Sequence, residues 1–189
     1  SWMSNPLEEG DQSIMYAVGG SEEWTTVTAN SQLFTFTAGA NMTAVFNNIT
    51  LNGLTPATTY QFKVGSGEKW TDVMTFTTSS AGTSGTSFFV LGDIQAENLN
   101  NISTIRDILK NGNYDFGIQT GAAVDNPLSY FDWNEYTGLF NVNTMGDVNM
   151  IQVLGNHEMV GDAPESKAMF GLPASYGGSH YSRTYGNVY

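Results

Sequence analysis

The chain has 189 residues, 40% hydrophobic and 13% aromatic, enough for one large or two small domains with cores of ordinary size. Six Lys plus Arg stand against eighteen Asp plus Glu, a formal net charge of -12, which repels a phosphate backbone and argues against nucleic-acid binding through a basic face. There is no cysteine, so disulfides, thiol nucleophiles and Cys-ligated zinc are excluded.

Charged residues make up only 13%, about half the roughly 25% usual in globular proteins, and Thr, Asn, Ser and Gly fill the gap. Such a surface suits secreted β-rich modules, and an extracellular or cell-surface location is expected. No stretch approaches 18 apolar residues, so no membrane span is expected, and no signal peptide opens the chain at Ser1. An anionic substrate would need locally recruited cations, which a metal site would supply.

Residues 1–78 read as all β. Runs at 13–18, 23–28, 32–37, 42–51, 59–64 and 71–77 are rich in Thr, Val, Phe and Tyr and are separated by Gly, Asn, Ser and Pro. Six or seven such strands make a small sandwich. Alternation from Tyr60 puts Tyr60, Phe62 and Val64 on the core face and Gln61 and Lys63 on the water face. Trp2, Trp24 and Trp70 could form an aromatic ligand platform, although packing is the commoner use of such rings. Residues 79–87, small and polar throughout, read as a linker.

After the linker the pattern alternates between β and α. A strand at 88–91 ends at Gly92-Asp93-Ile94-Gln95. Leu99, Ile102, Ile105 and Leu109 then recur at three- and four-residue steps, the apolar stripe of a helix, and Asn111-Gly112-Asn113 should close it with left-handed geometry. A strand at 115–120 runs into Gly121-Ala122-Ala123-Val124-Asp125-Asn126. An aromatic helical segment follows from Pro127 through Phe140, expected to pack on the sheet or against the first domain. The apolar run 150–154, within a strand at 148–154, stops at Gly155 and delivers Asn156, His157 and Glu158. That run reads as a strand covered on both faces, and ligands of open parallel sheets collect beyond such carboxyl ends. Glu158 is expected to cap its loop. Beyond it, 170–173 reads as a loop, and 180–189 as a hairpin or the start of a further strand.

Gly-Asp-x-Gln, Gly-x-x-x-Asp-Asn and Gly-Asn-His-Glu, in this order and spacing, resemble the calcineurin-like metallophosphoesterase superfamily. With a β module in front, the chain most resembles the purple-acid-phosphatase-like branch. Leu54 with Tyr60 is similar to the tyrosine corner of fibronectin-III domains. The resemblance implies a fold of an all-β, fibronectin-III-like sandwich (1–78), a linker (79–87) and the N-terminal portion of an α/β metallophosphoesterase domain (88–189). It implies phosphate-ester substrates and two divalent metals, Fe, Zn or Mn, that activate a bound water. Asp93 and Asn156 would be metal ligands, with Asp125 and Gln95 as further candidates. His157 would stabilise the transition state or leaving group.

Departures from the family pattern are as informative. The Asp that bridges the two metals is replaced by Ala122, and Gln95 stands where many relatives have a ligand His. The family's later histidine motifs have no counterpart, since the only histidines are His157 and His180, and nothing around His180 repeats a ligand spacing. Metals are therefore expected to be absent or weakly bound, the chain being either a shortened piece of a longer phosphoesterase or a relative without catalysis. Two other readings stand beside this one. The first is a non-catalytic extracellular module recognising a glycan, a wall polymer or a protein; the second is an interaction half completed by another polypeptide.

Overall fold

The computed structural model describes residues 1–7, 10–80, 85–95, 99–140, 148–173, 180–186 and 188–189, with 99–101 described by backbone alone. The first half contributes β1 (Trp2–Ser4), β2 (Ser13–Val18), β3 (Thr25–Thr28), β4 (Asn30–Phe36), β5 (Met42–Asn48), β6 (Thr59–Ser66), β7 (Lys69–Trp70) and β8 (Met74–Thr77). They form two antiparallel sheets, one ordered β1-β5-β4 and the other β3-β2-β6-β7, with β8 also paired to β6. Most strands fall where the Val-, Thr- and Phe-rich runs place them.

Two differences have local causes. At three residues, β1 is too short to leave a periodic signature. The run 71–77 is not one strand, because the Thr71 hydroxyl accepts the Val64 N–H at 3.1 Å and takes over a ladder position; the chain leaves the sheet there and returns at Met74. The tyrosine corner is formed. Tyr60 is buried, and its hydroxyl accepts the Thr55 N–H at 2.9 Å. Tyr60 and Val64 are buried on the face they share with Phe62, which is half-buried. Gln61 and Lys63 on the opposite face are half-buried rather than fully exposed. Lys63 is covered because its ammonium lies 5.4 Å from the ring centres of both Trp24 and Trp70.

The second half contributes β9 (Phe88–Leu91), α1 (Leu99–Lys110), β10 (Phe116–Gln119), α2 (Tyr130–Leu139), β11 (Asn149–Gln152) and α3 (Pro164–Phe170). The three strands form a parallel sheet ordered β11-β10-β9, with Phe88, Phe116 and Asn149 in register. Residues 81–84 of the expected linker lie outside the described residues, as does the side chain of Leu99. Ile102 and Leu109 of the predicted stripe are buried, and Ile105 is half-buried against them. Helix α1 does not end in left-handed residues. Instead the Asn111 amide donates to the Asp107 carbonyl at 2.7 Å, satisfying one of the carbonyls that a helix end leaves open.

Helix α2 begins at Ser129, whose hydroxyl accepts the Asp132 N–H. Of its aromatic residues, Trp133 and Tyr136 are buried, while Phe131 is 55% exposed with its ring edge-on to Tyr130 at 5.7 Å. Helix α3 precedes the expected loop 170–173 and overlaps it only at Phe170; with seven residues it is too short to leave a periodic signature. It begins at Pro164 and stops at Gly171, whose left-handed backbone donates back to the Ala168 carbonyl. The tail from His180 makes one small antiparallel bridge between Tyr185 and Val188, a tight turn.

The expectation of a doubly covered third strand is corrected. Val153 is 45% exposed and Ile151 half-buried, and on the same face Val90 of β9 is 54% exposed. The opposite face, with Phe89, Gly117 and Met150, carries the packing against α1. The main core runs across both halves of the chain. Phe36, Ala44 and Phe46 of the first half pack with Ile102, Trp133 and Met169 of the second, and Phe46 meets Trp133 edge-on at 5.6 Å. The Asn48 amide donates to the Ala168 carbonyl at 3.2 Å across the same boundary.

Candidate functional site

The loops that follow β9, β10 and β11 meet at one end of the parallel sheet. The loop after β9 is stitched to the loop after β10 by two backbone bonds: the Asp93 N–H donates to the Gly121 carbonyl at 3.1 Å, and the Gln95 N–H to the Ala122 carbonyl at 2.9 Å. The loops after β10 and β11 touch through their glycines. A Cβ at Gly121 would lie 2.7 Å from the Gly155 Cα, and one at Gly155 would lie 2.6 Å from the Ala122 nitrogen. No larger residue allows that approach, which is the physical content of the apolar-run-then-Gly pattern.

Three non-glycine residues at this rim have left-handed backbones: Asp93 (φ 50°), Gln95 (φ 42°) and Ala122 (φ 49°). Each costs about 1 kcal/mol or more and persists because its surroundings fix it. What fixes Ala122 is Glu158, which is fully buried. Its carboxylate accepts the N–H groups of Ala122 (2.9 Å), Ala123 (2.8 Å), Val124 (3.3 Å) and Gly155 (2.8 Å). Glu158 thus ties the loop carrying Asp125 to the loop carrying Asn156 and His157, a wider role than capping its own loop. Its signal in the sequence was an acidic residue placed three positions after a strand-ending glycine.

Three of the five sequence-predicted site residues are in direct contact. The Gln95 amide donates to Asp125 Oδ1 at 3.4 Å and lies 3.1 Å from His157 Nε2. His157 Nδ1 is 2.7 Å from the Asp125 carbonyl oxygen and 3.4 Å from Asp125 Oδ1. With the Gln95 amide donating to Nε2, the ring carries its proton on Nδ1 and donates it to Asp125. The accepting Asp125 carbonyl raises the His157 pKa above its ordinary value; partial burial opposes this, and the carboxylates of Asp125, Glu158 and Asp93 add to it. Asp93 and Asn156 stand exposed on the neighbouring loops. His180 lies elsewhere, on the apolar face of the sheet beside Tyr181.

These residues do not fit a pair of divalent metals. A dinuclear site needs a carboxylate shared between two ions and several more anionic or imidazole donors around them. Where the resemblance would put the shared carboxylate stands the methyl group of Ala122, 2% exposed. Both oxygens of Glu158 are taken by backbone N–H groups, and Gln95, Asp125 and His157 are bonded to one another. Among the described residues no three His, Asp or Glu side chains draw together as a metal-holding group. No helix among them is long and apolar enough to cross a membrane.

Residues 1–78 match the family model for the N-terminal domain of purple acid phosphatase. Across both halves the chain is similar to acid phosphatase type 7 of Danio rerio, 24% identical over 191 aligned positions that cover 96% of this chain and 41% of that protein. The chain thus spans about two fifths of the length of the curated relative it matches. The first likeness is thus to a domain of purple acid phosphatase, confined to the first half, and the second, at low identity, to an acid phosphatase along both halves.

Proposed function

We propose that the chain belongs to a secreted phosphate-ester hydrolase of the purple-acid-phosphatase type. In this reading residues 1–78 are a fibronectin-III-like support, 79–87 a linker, and 88–189 the first portion of a calcineurin-like phosphoesterase domain. The observation that carries it is the alignment to an acid phosphatase, which runs through both halves and is not confined to the N-terminal module. Gly155-Asn156-His157-Glu158 at the end of β11 supports the same reading. The paired-metal chemistry of the family would need a carboxylate at position 122, and the donors present do not replace it. As its residues stand, the donors of this chain support neither a retained metal pair nor hydrolysis of the ester.

Two measurements test this. The chain itself, supplied with Mn²⁺, Zn²⁺ or Fe²⁺, is expected to hydrolyse p-nitrophenyl phosphate no faster than the metal alone and to retain no stoichiometric metal. Turnover on the order of 10 s⁻¹, usual for enzymes, would overturn the donor count. A chimera in which this chain replaces the aligned portion of the Danio rerio phosphatase tests the family reading. With Ala122→Asp it should hydrolyse the ester, and with Ala122 it should be slower by about 10²-fold or more. A folded chimera carrying Ala122→Asp that neither binds metal nor hydrolyses the ester would overturn the reading.

A further inference from the structure

We propose that a groove of about 790 Å³ between the first half of the chain and helix α2 is a binding site for a neutral oligosaccharide. The groove exists because β1 is short. It pairs with β5 only at Val45–Asn47, so Met42 and Thr43 have a strand on one side and open space on the other. The chain beyond Ser4 turns along this opening, α2 closes it from below, and β7 lies across it.

The lining has the chemistry of sugar recognition. Pyranose rings present C–H-rich faces that stack on aromatic rings, while their hydroxyls need both donors and acceptors, which amide side chains supply together. Trp2, Trp70 and Tyr130 bring aromatic surface to the groove, and Asn41 and Asn134 bring amides. Although the chain carries a net charge of -12, no acidic residue is found among the described residues that line this groove, and Lys69 is the one charged side chain among them. A neutral polyhydroxylated ligand fits that balance better than an anion or a cation. The volume lies within the roughly 300–1,000 Å³ of small-ligand sites, and the position between two halves of a chain is a common one for them.

The aromatic elements are held in advance. The Trp2 indole N–H donates to Gln12 Oε1 at 3.1 Å, and the Gln12 amide, 6% exposed, donates to Ser66 Oγ at 3.0 Å. The Trp70 indole N–H donates to the Gly67 carbonyl at 3.0 Å. Tyr130 meets Phe36 edge-on at 6.1 Å. Rings fixed in this way lose little conformational freedom when a ligand stacks on them. Of the three tryptophans noted in the sequence, Trp2 and Trp70 line the groove and Trp24 does not; Lys63 lies against both Trp24 and Trp70. The inference does not depend on the phosphatase reading, since the groove shares no residue with the rim.

The test is a fluorescence titration of the whole chain with cellohexaose, chitohexaose and mannohexaose. A saturable change with at least one of them is expected, with Kd raised at least tenfold in Trp70→Ala and several-fold in Asn134→Ala, and unchanged in Trp24→Ala. Asn134 is exposed on α2, so its variant keeps the test valid should removal of Trp70 disturb the fold. The proposal is overturned if none of the three sugars gives saturable binding, or if binding is the same in the wild type and in both groove variants.

Discussion

Ala122 and Glu158 are joined across 36 residues by a bond in which the Ala122 N–H donates to the buried carboxylate at 2.9 Å. Ala123, Val124 and Gly155 donate to the same two oxygens, so one side chain terminates four backbone groups. Cutting it to a methyl leaves those donors buried and unpaired, at about 1–3 kcal/mol each before relaxation. Glu158→Ala is expected to lose at least about 3 kcal/mol, read as a fall in the urea midpoint at constant slope. Glu158→Gln should also lose stability, because its amide nitrogen must face a backbone donor. A loss below about 1 kcal/mol in Glu158→Ala would mean that the loops hold each other without the carboxylate.

The core shared by the two halves predicts that they unfold together. Phe46 is fully buried on β5 and touches Trp133 of α2, Phe34 and Phe36. Phe46→Ala should cost about 3–5 kcal/mol, the range for large aromatic truncations in packed cores. Tryptophan fluorescence and far-ultraviolet circular dichroism should report one transition, both before and after the substitution. Two transitions, with only one moved by Phe46→Ala, would show that each half is stable alone.

His157 gives the rim a pH dependence whose sign follows from its raised pKa. A histidine whose folded pKa exceeds the unfolded value of about 6.5 adds stability that is complete below that pH and is lost as pH rises through the folded pKa. The stability difference between the wild type and His157→Gln should therefore shrink from pH 5.5 to pH 8.5, by roughly the amount of one weak charge pair at a part-exposed site. Protonation also makes Nε2 a donor, which the Gln95 amide nitrogen cannot face at 3.1 Å. The amide must then turn its oxygen inward and release Asp125. Nitrogen-15 spectra of the imidazole and the Gln95 amide should shift together; independent titrations would break the link between them.

What the sequence made legible follows the range of each interaction. Strands β2, β4, β5 and β6 were readable because Val, Thr, Phe and Tyr alternate over six or more residues. The three-residue β1 and the two-residue β7 carry no period, and α3 hides in a polar segment opened by Pro164. At the rim, Gln95, Asp125 and His157 were legible one at a time as donors of a kind. Their contact spans 30 and 62 residues of sequence, so local pattern could not show that they bond to one another. The glycines were visible as strand stops, but the reason for them, the close approach of Gly121 and Gly155, belongs to the packing of two loops. The apolar run 150–154 carries no signal for what covers each side of the sheet: on the second face Phe116 is buried against Tyr185, while Val90 and Val153 stay half-exposed.

That face carries the last prediction. Val90 is 54% exposed and Val153 45%, while Phe88, 43% exposed, is stacked on Phe116 with ring centres 5.0 Å apart. Half-exposed β-branched residues on a sheet face add little to folding and much to self-association. The double variant Val90→Thr, Val153→Thr should change stability by less than about 1 kcal/mol and reduce concentration-dependent light scattering. Phe89→Ala on the opposite face is the contrast. Its ring is buried edge-on against Tyr114 at 5.0 Å, and its removal should cost about 3 kcal/mol or more. If the threonine pair destabilised the chain as much as Phe89→Ala, the face would have to be covered in solution, and the scattering of the wild type at low concentration would show the larger species that covers it.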